Sequence, residues 1–149
     1  MKRLCAILVV LLAVGSATDV FSQKPQRRHI QRAGNTGNLP FSDAVLAGNT
    51  LYLAGRLGVD ETTGRIPDDL EQEIRNIMES MKSTLGEAGM SMDELASVQV
   101  FCPDLTLYGK FNAVYRSYFQ KDFPARAFIG SGPLLRGAHF EVQGIAVKR

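Results

Sequence analysis

The sequence predicts a single α+β domain in which two helices cover one face of a largely antiparallel sheet. Short apolar or alternating segments, bounded by turn residues, indicate five strands. Two longer segments repeat apolar residues at intervals of three and four, as amphipathic helices do. The order along the chain is β-β-α-β-α-β-β, and 149 residues are enough for one domain. Two helices on one side of such a sheet bury the apolar faces of both layers.

The first two strands are predicted as a hairpin in the sequence SDAVLAGNTLYLAG. Residues 44–47 and 50–54 form its strands, and Gly48-Asn49 between them is a typical tight turn. Further strands are predicted at residues 95–101, 125–129 and 139–147. Apolar side chains occur at both parities of the last strands, so we expect the uncovered face of the sheet to contact a partner subunit.

Two amphipathic helices complete the predicted domain. The first begins after Pro67, where Asp68 and Glu71 form a capping pattern, and ends at Gly89. Its apolar face consists of Leu70, Ile74, Ile77, Met78, Met81 and Leu85. The second helix carries Phe111, Val114, Tyr115, Tyr118 and Phe119 on one face. Both faces are expected to pack in the core rather than to hold a cofactor.

The N-terminus is typical of a secretory signal peptide. A basic start at Lys2-Arg3 precedes an apolar run, and small residues at Val20 and Ser22 favour cleavage before Gln23. We therefore expect residues 1–22 to be a signal peptide and the mature protein to be exported, periplasmic or secreted, without a membrane anchor. Residues 23–38 are expected to form a flexible basic tail, and residues 39–149 the folded domain.

Composition excludes several other functions. The 17 basic and 15 acidic side chains are nearly balanced, so no nucleic-acid partner is expected. His29 and His139 have no metal-ligand spacing to each other or to Cys102, so no metal site is expected. Cys102 is the one thiol left after signal removal, and we interpret it as a buried structural cysteine rather than a nucleophile.

The most informative charged residue is Arg126, which lies among apolar neighbours in a predicted buried strand. A buried guanidinium requires an anionic partner, either a protein carboxylate or a ligand. Alternation puts Arg126 and Phe128 on one face of their strand, and puts Glu141 on one face of the last strand. If the two strands are neighbours, Arg126 and Glu141 can form a cross-strand ion pair. The residues alone favour that structural pair over a ligand site.

Four stretches of the chain resemble the reactive intermediate deaminase family, called RidA, YjgF or L-PSP. They are LYLAGRLGVDETTGRIP, VQVFCPDLTLYGKFNAVYRSYF, FPARAF and FEVQGIAVKR, and the similarity covers residues 39–149. The resemblance implies a chorismate-mutase-like α+β subunit that assembles as a homotrimer, with pockets at the subunit interfaces.

The resemblance also implies a reaction and a set of site residues. The family hydrolyses 2-aminoacrylate and related enamine or imine acids to 2-keto acids and ammonia, with no metal or organic cofactor. Arg126 matches the arginine that holds the substrate carboxylate, a role that suits its bidentate fork. Glu141 matches the acid that positions the attacking water. Asn112 and Gly55 match residues that line the pocket.

Three positions depart from the family pattern. Phe41 replaces the usual tyrosine, Ala54 replaces a serine, and Phe128 stands where a cysteine is common. The loss of two hydroxyls and the addition of a ring predict a more apolar pocket, with altered substrate preference, slower turnover or ligand binding alone.

Two other functions remain as alternatives to imine hydrolysis. An exported trimer that binds small 2-imino or 2-keto carboxylic acids without turnover would use Arg126 in the same way. A ribonuclease or translation inhibitor, an older label in this family, would cleave RNA. The balanced charge, and the lack of a histidine pair at matched spacing, favour the first alternative over the second.

Overall fold

The computed structural model describes residues 26–32 and 39–148 of the chain. The predicted signal peptide, residues 1–22, lies outside the described residues, and so does most of the predicted tail. Along the described ranges, no helix has both the length and the apolar character needed to cross a bilayer.

The structure contains six strands and two α-helices. The strands are β1 (Arg27–Ile30), β2 (Ala44–Ala47), β3 (Thr50–Leu57), β4 (Leu95–Cys102), β5 (Ala125–Gly130) and β6 (Glu141–Val147). The helices are α1 (Leu70–Glu87) and α2 (Tyr108–Tyr115), and short 3-10 helices lie at Met92–Glu94, Leu105–Leu107, Arg116–Tyr118 and Leu135–Gly137. The five predicted strands and both predicted helices are all present.

All six strands form one sheet in the order β1-β2-β3-β6-β4-β5. Every neighbouring pair is antiparallel except β4 and β5, which are parallel and joined through α2. Strand β6 lies between β3 and β4, the two strands that α1 connects. The predicted α+β class with a mostly antiparallel sheet is confirmed.

Both helices pack on the same face of the sheet. The α1 side chains of Ile74, Ile77 and Met78 are fully buried and share one core with Phe111 of α2. Helix α1 is capped by Asp69, whose side chain accepts a hydrogen bond from the backbone N–H of Glu71 at 2.9 Å. The cap is therefore one residue later than the Asp68 that the sequence indicated.

Strand β1 corrects one part of the predicted flexible tail, because residues 27–30 form a strand. Arg27–Ile30 pairs antiparallel with β2, and the side chain of Ile30 is buried in the core. The basic residues nearby have partners: the Arg32 guanidinium forms an ion pair with Glu61 at 3.0 Å. The sheet therefore begins before residue 39.

The order of the last strands corrects a second expectation. Strands β5 and β6 are not neighbours, because β4 lies between them. Arg126 is opposite Val98 of β4, and Val98 is opposite Gly144 of β6. Strand β5 is the edge of the sheet and is half-buried, not a buried inner strand. Arg126 therefore cannot form a cross-strand ion pair with Glu141.

The face of the sheet away from the helices is open within the described chain. Tyr52 of β3 and Ile145 of β6 lie opposite each other on this face, and both are exposed. Glu141 and Gln143 of β6 lie on the same face by alternation, because Val142 between them is fully buried on the helix side. Exposed apolar side chains on a sheet face are consistent with the expected contact with another subunit.

Candidate functional site

Arg126 projects from the edge strand β5 onto the helix-covered face of the sheet. Its neighbour across the parallel ladder, Val98, is buried in the core, and the Arg126 side chain reaches α2. There the Nη2 atom of Arg126 donates a hydrogen bond of 2.6 Å to the Oδ1 atom of Asn112. Two residues that the sequence assigned to one pocket are thus in direct contact.

Four aromatic rings surround the Arg126 guanidinium. The ring centroid of Tyr115 lies 4.5 Å from its Cζ atom. Tyr108, Phe111 and Phe128 contribute rings at 5.7, 5.9 and 5.9 Å. Phe128 lies on the arginine's face of β5, as alternation predicted, and its ring packs edge-on against Tyr108. Cation–π contacts of this kind hold the guanidinium in one orientation.

The guanidinium nevertheless keeps an unused donor. The Nη1 atom of Arg126 is buried and makes no hydrogen bond with the described residues, among which no carboxylate forms an ion pair with Arg126. A buried donor without an acceptor is costly, more so when it is charged. The arrangement therefore suits an anionic ligand that supplies the missing acceptor.

The hydroxyl of Tyr115 is a second buried group that forms no hydrogen bond of good geometry with the described residues, although Arg126 lies close enough to interact with its oxygen. Burial raises the pKa of Tyr115 to about 12, and the nearby positive charge of Arg126 opposes that shift without cancelling it. Tyr115 therefore keeps its proton at neutral pH and is able to donate a hydrogen bond to a ligand.

These groups line a cavity of about 270 Å³ at the edge of the sheet. Its walls are Asn112, Tyr115, Arg116, Phe123, Pro124 and Arg126. The lining carries two guanidinium groups and no carboxylate, so the cavity favours anions.

Glu141 lies on the opposite face of the sheet from Arg126. It is the first residue of β6 and pairs with Leu57 of β3 and with Phe101 of β4. The neighbouring glycine of β3, Gly55, leaves room for the carboxylate: a Cβ atom at that position would lie 2.0 Å from the Oε1 atom of Glu141. Gly55 and Glu141 are therefore brought together, as the resemblance implied, but on the open face.

A β-bulge in β3 places Gly55 beside Glu141. The register between β3 and β6 shifts between Leu53 and Arg56, which leaves both of these side chains on the helix side. A buried ion pair holds the bulge, since the Nη1 atom of Arg56 lies 2.5 Å from the Oδ1 atom of Asp43. The Asp43 carbonyl also accepts the backbone N–H of Ala54 at 3.0 Å. Burial lowers the pKa of Arg56, although Asp43 opposes the shift.

Glu73 of α1 fixes the chain immediately before Glu141. This carboxylate is fully buried, and its Oε1 atom accepts the backbone N–H groups of His139 and Phe140 at 2.8 and 3.2 Å. Its Oε2 atom lies 2.7 Å from the Nδ1 atom of His139. Gly58 allows the Glu73 backbone to lie this close to the chain after β3, because a Cβ at position 58 would lie 2.3 Å from the Glu73 carbonyl oxygen.

The predicted site residues thus form two groups. Arg126 and Asn112 line the cavity on the helix side and Phe128 packs beside the guanidinium, whereas Gly55, Ala54 and Glu141 lie at or beside the β3 bulge. Phe41 precedes β2 with its side chain exposed, and its backbone carbonyl accepts a hydrogen bond from Gln31 at 3.3 Å. Within the described part of one chain, the two groups do not share a pocket.

Three contributors to these groups were not recognised as site residues in the sequence. Tyr115 lies on the apolar face of the second helix and therefore looked like a core residue. Its spacing was the one available signal: it lies three residues after Asn112 and four before Phe119, so these side chains are neighbours on the helix surface. Tyr108 lies at the start of α2 and had no periodic signal. Glu73 belongs to the acidic first turn of α1, and acidic side chains at that position usually lie in solvent.

Cys102 occupies the core, as predicted, and its Sγ atom contacts the Asp104 carbonyl oxygen at 3.0 Å. Burial raises the pKa of its thiol. Both features suit a structural cysteine. Among the residues that the structure describes, no cluster of three or more His, Cys, Asp or Glu side chains is placed to hold a metal ion.

Comparison with known proteins agrees with the fold. The family model "Endoribonuclease L-PSP" matches residues 35–148. A RutC family protein of Pyrococcus horikoshii is 34% identical over 110 residues, covering 73% of this chain and 87% of its own. The Bos taurus protein named 2-iminobutanoate/2-iminopropanoate deaminase is 33% identical, covering 73% of this chain and 80% of its own.

The solved structure of a Rid family protein from Yersinia pestis superimposes with a TM-score of 0.77 at 25% identity, covering 82% of this chain and 99% of that one. Family model, relatives and structure agree with the resemblance carried by the four sequence stretches. The chain belongs to the endoribonuclease L-PSP family, the RidA/YjgF/L-PSP family of imine and enamine deaminases.

Proposed function

We propose that this protein hydrolyses 2-imino or enamine carboxylic acids to 2-keto acids and ammonia, with Arg126 holding the substrate carboxylate. The observation that carries the proposal is the buried Nη1 donor of Arg126, which has no acceptor among the described residues and borders an anion-favouring cavity. A substrate carboxylate supplies two acceptor oxygens in the geometry of the guanidinium fork. Relatives named 2-iminobutanoate/2-iminopropanoate deaminase support the reaction type.

The hydrolytic step requires a group that orients water, and we assign it to Glu141. Its carboxylate accepts a proton from the water as the water oxygen bonds to the imine carbon, and it passes that proton to the nitrogen. Collapse of the resulting carbinolamine breaks the carbon–nitrogen bond and releases ammonia and the 2-keto acid. The imine carbon is already electrophilic, so orientation supplies much of the rate enhancement. No cofactor is needed for this sequence of steps.

Arg126 and Glu141 lie on opposite faces of one sheet, so one substrate molecule cannot touch both within a single chain. We therefore propose a homotrimer in which the open face of one subunit covers the edge of its neighbour. Each pocket would then combine Arg126, Asn112 and Phe128 of one subunit with Glu141, Gly55, Ala54 and Phe41 of the next. The exposed apolar side chains of the open face support this arrangement.

The decisive experiment is imine hydrolysis with mixed subunits. Arg126→Ala and Glu141→Gln are each expected to slow the release of 2-oxobutanoate, from 2-iminobutanoate generated by an amino-acid oxidase, to near the uncatalysed rate. Co-expression of the two variants restores intact pockets only if Arg126 and Glu141 come from different subunits. Random mixing of two variants would restore about a quarter of the pockets. No recovery in assembled mixtures would contradict the shared pocket, and unchanged activity of both single variants would contradict the hydrolase.

One observation favours binding without turnover as the second candidate function. The groups that bind a carboxylate are complete within one chain, whereas the acid is on the other face and two pocket hydroxyls of the family are replaced by Phe41 and Ala54. In that case calorimetry would detect binding of a 2-keto acid that depends on Arg126, and the imine would decay at its uncatalysed rate.

The proposal also includes export of the mature protein. The basic start, apolar run and small residues before Gln23 predict cleavage at that point. N-terminal sequencing of the processed protein is expected to begin at Gln23. A cell-associated protein that starts at Met1 would contradict export without affecting the hydrolase.

A further inference from the structure

The cavity beside Arg126 is lined by a second arginine, Arg116. Resting on the proposed function, we propose that the pocket prefers substrates with two carboxylates: a 2-imino dicarboxylic acid or its 2-keto product. Arg126 holds the carboxylate next to the imine carbon, and Arg116 holds the distal one. This assignment gives Arg116 a role as a residue that determines substrate specificity.

Helix geometry places Arg116 on the same side as the carboxylate clamp. Asn112 and Arg116 are four residues apart where α2 continues into the following 3-10 turn, so their side chains leave the same face about one turn, ~5.4 Å, apart. Because Arg126 is bonded directly to Asn112, its guanidinium and the Arg116 side chain border one cavity from adjacent positions. A short diacid is able to span two cations arranged in this way.

The charge of Arg116 is available to a ligand. Its guanidinium lies 6.0 Å from the ring centroid of Phe123, a wall of the same cavity. Within the described ranges Arg116 forms no ion pair with a carboxylate. A guanidinium that rests on an aromatic ring and has no acid nearby retains its capacity for a bidentate contact.

The nearby tyrosines are consistent with two positive charges in one place. The pKa of Tyr108 is lowered, first by its interaction with the Asn112 amide, then by the charge of Arg126, with a smaller contribution from Arg116. The buried hydroxyl of Tyr115 also faces this cavity and forms no hydrogen bond of good geometry with the described residues, so it is free to donate to a ligand oxygen. Phe123 and Pro124 provide an apolar surface for the carbons between the two carboxylates.

The inference is tested with two 2-keto acids of equal chain length, 2-oxoglutarate and 2-oxopentanoate, which differ in the distal carboxylate. Calorimetry with wild-type protein is expected to show about tenfold tighter binding of the diacid, the gain from one added charge-assisted contact. Arg116→Gln should weaken diacid binding by about fivefold to tenfold and change monoacid binding less than twofold. Arg116→Lys should restore part of the preference, and Arg75→Gln, an exposed arginine on α1, should change neither affinity.

The outcomes separate this inference from the proposed function. Equal affinities for both acids in wild-type protein and in Arg116→Gln, each lost in Arg126→Ala, would overturn the diacid preference and leave the carboxylate pocket intact. Hydrolysis of 2-iminobutanoate without preference for a dicarboxylic imine would likewise overturn the diacid preference and leave the proposed hydrolase activity intact. Diacid binding that depends on Arg116, without hydrolysis of any imine, would support the inference and overturn the hydrolase. Absence of binding by either acid would overturn both.

Discussion

The two halves of the candidate site differ in how far one chain completes them. The Arg126 half is built within the subunit, where α2 and β5 meet and aromatic rings, an amide and a cavity surround the guanidinium. The Glu141 half lies on an open sheet face, with its carboxylate over Gly55 and exposed apolar side chains such as Tyr52 nearby. One half is organised for binding, and the other is organised for contact with something outside the chain.

This difference indicates a division of labour between binding and chemistry. A clamp that is rigid before the ligand arrives loses little conformational entropy on binding. In the proposed homotrimer, an acid on the open face remains in water until a second subunit covers it, so its proposed proton-transfer role depends on assembly. The comparison predicts that changes in the Arg126 half affect affinity, whereas changes in the Glu141 half affect turnover.

The largest effect is expected from Arg126→Ala. Removal of the guanidinium takes away the charge-assisted contact with the substrate carboxylate, so kcat/KM should fall by about 10²- to 10³-fold. Binding of 2-oxobutanoate should fall in parallel, as measured by calorimetry. Arg75→Ala removes an exposed arginine and should leave both quantities within twofold of wild type. A loss of turnover with unchanged keto-acid affinity would place Arg126 outside the binding half.

The next largest effect is expected on stability, from Glu73→Ala. The substitution leaves the backbone N–H groups of His139 and Phe140 without their buried acceptor, at a cost of about 1–3 kcal/mol for each group. Unfolding in urea should therefore show a loss of about 2–6 kcal/mol, and turnover should fall because this segment leads into Glu141.

Glu71→Ala is the matched control for Glu73→Ala, since Glu71 lies on the exposed side of the same helix turn and its ion pair with Arg75 is 3.9 Å long. It should change the free energy of unfolding by about 0.5 kcal/mol or less. Equal destabilisation by the two substitutions would show that Glu73 does not anchor the Glu141 half.

The sequence predicted the Arg126 half better than the Glu141 half, for a physical reason. Phe128 shares the face of Arg126 by strand alternation, which local periodicity predicted, whereas Asn112 was assigned to the pocket by the family resemblance. The position of Glu141 depends on the order of strands. Residues 131–140 between β5 and β6 are long enough either to join neighbouring strands or to pass over one, and side-chain pattern does not distinguish these paths.

Long-range pairing also explains the other missed features. The segment Arg27–Ile30 carries a single apolar residue and no alternation, so only its pairing with β2 makes it a strand. The bulge at Gly55 inverts side-chain parity along β3, which places a charged residue, Arg56, on the core side. Its buried partner Asp43 is 13 residues earlier in the chain, and no local pattern linked the two.

Gly55→Ala is expected to have a smaller effect than Glu73→Ala, and its kinetic effect should be confined to kcat. The new Cβ atom would meet the Oε1 atom of Glu141 at 2.0 Å, and the flexible end of that side chain is able to move away. The stability cost should therefore be modest, about 1 kcal/mol, while displacement of the carboxylate lowers kcat by about tenfold or more. KM should change little, because the Arg126 half is untouched.

Gly86→Ala is the control for this substitution. Gly86 lies in α1, and beyond its own helix backbone no atom of the described residues comes within 4 Å of the place that an alanine Cβ would take. Alanine should therefore stabilise the helix by about 0.5–1 kcal/mol and leave kcat unchanged. If Gly55→Ala raised KM and left kcat unchanged, the assignment of binding and chemistry to separate halves would be wrong.

The smallest expected effect is a pH dependence of stability, which reports how far water is excluded from the Arg126 half. Burial raises the pKa of Tyr115 from 10.0 to about 12 in the folded state. The neutral phenol therefore contributes stability that is fully present below pH 10 and is lost as the pH rises through 12. Tyrosinate absorbance should show a group that ionises near pH 12, and Tyr115→Phe should remove that group and its share of the pH dependence between 10 and 12, leaving the raised pKa of Tyr118 in place. Ionisation of every tyrosine near pH 10 would mean that water reaches the Tyr115 hydroxyl, and the Arg126 half, too, would then be open until another subunit covers it.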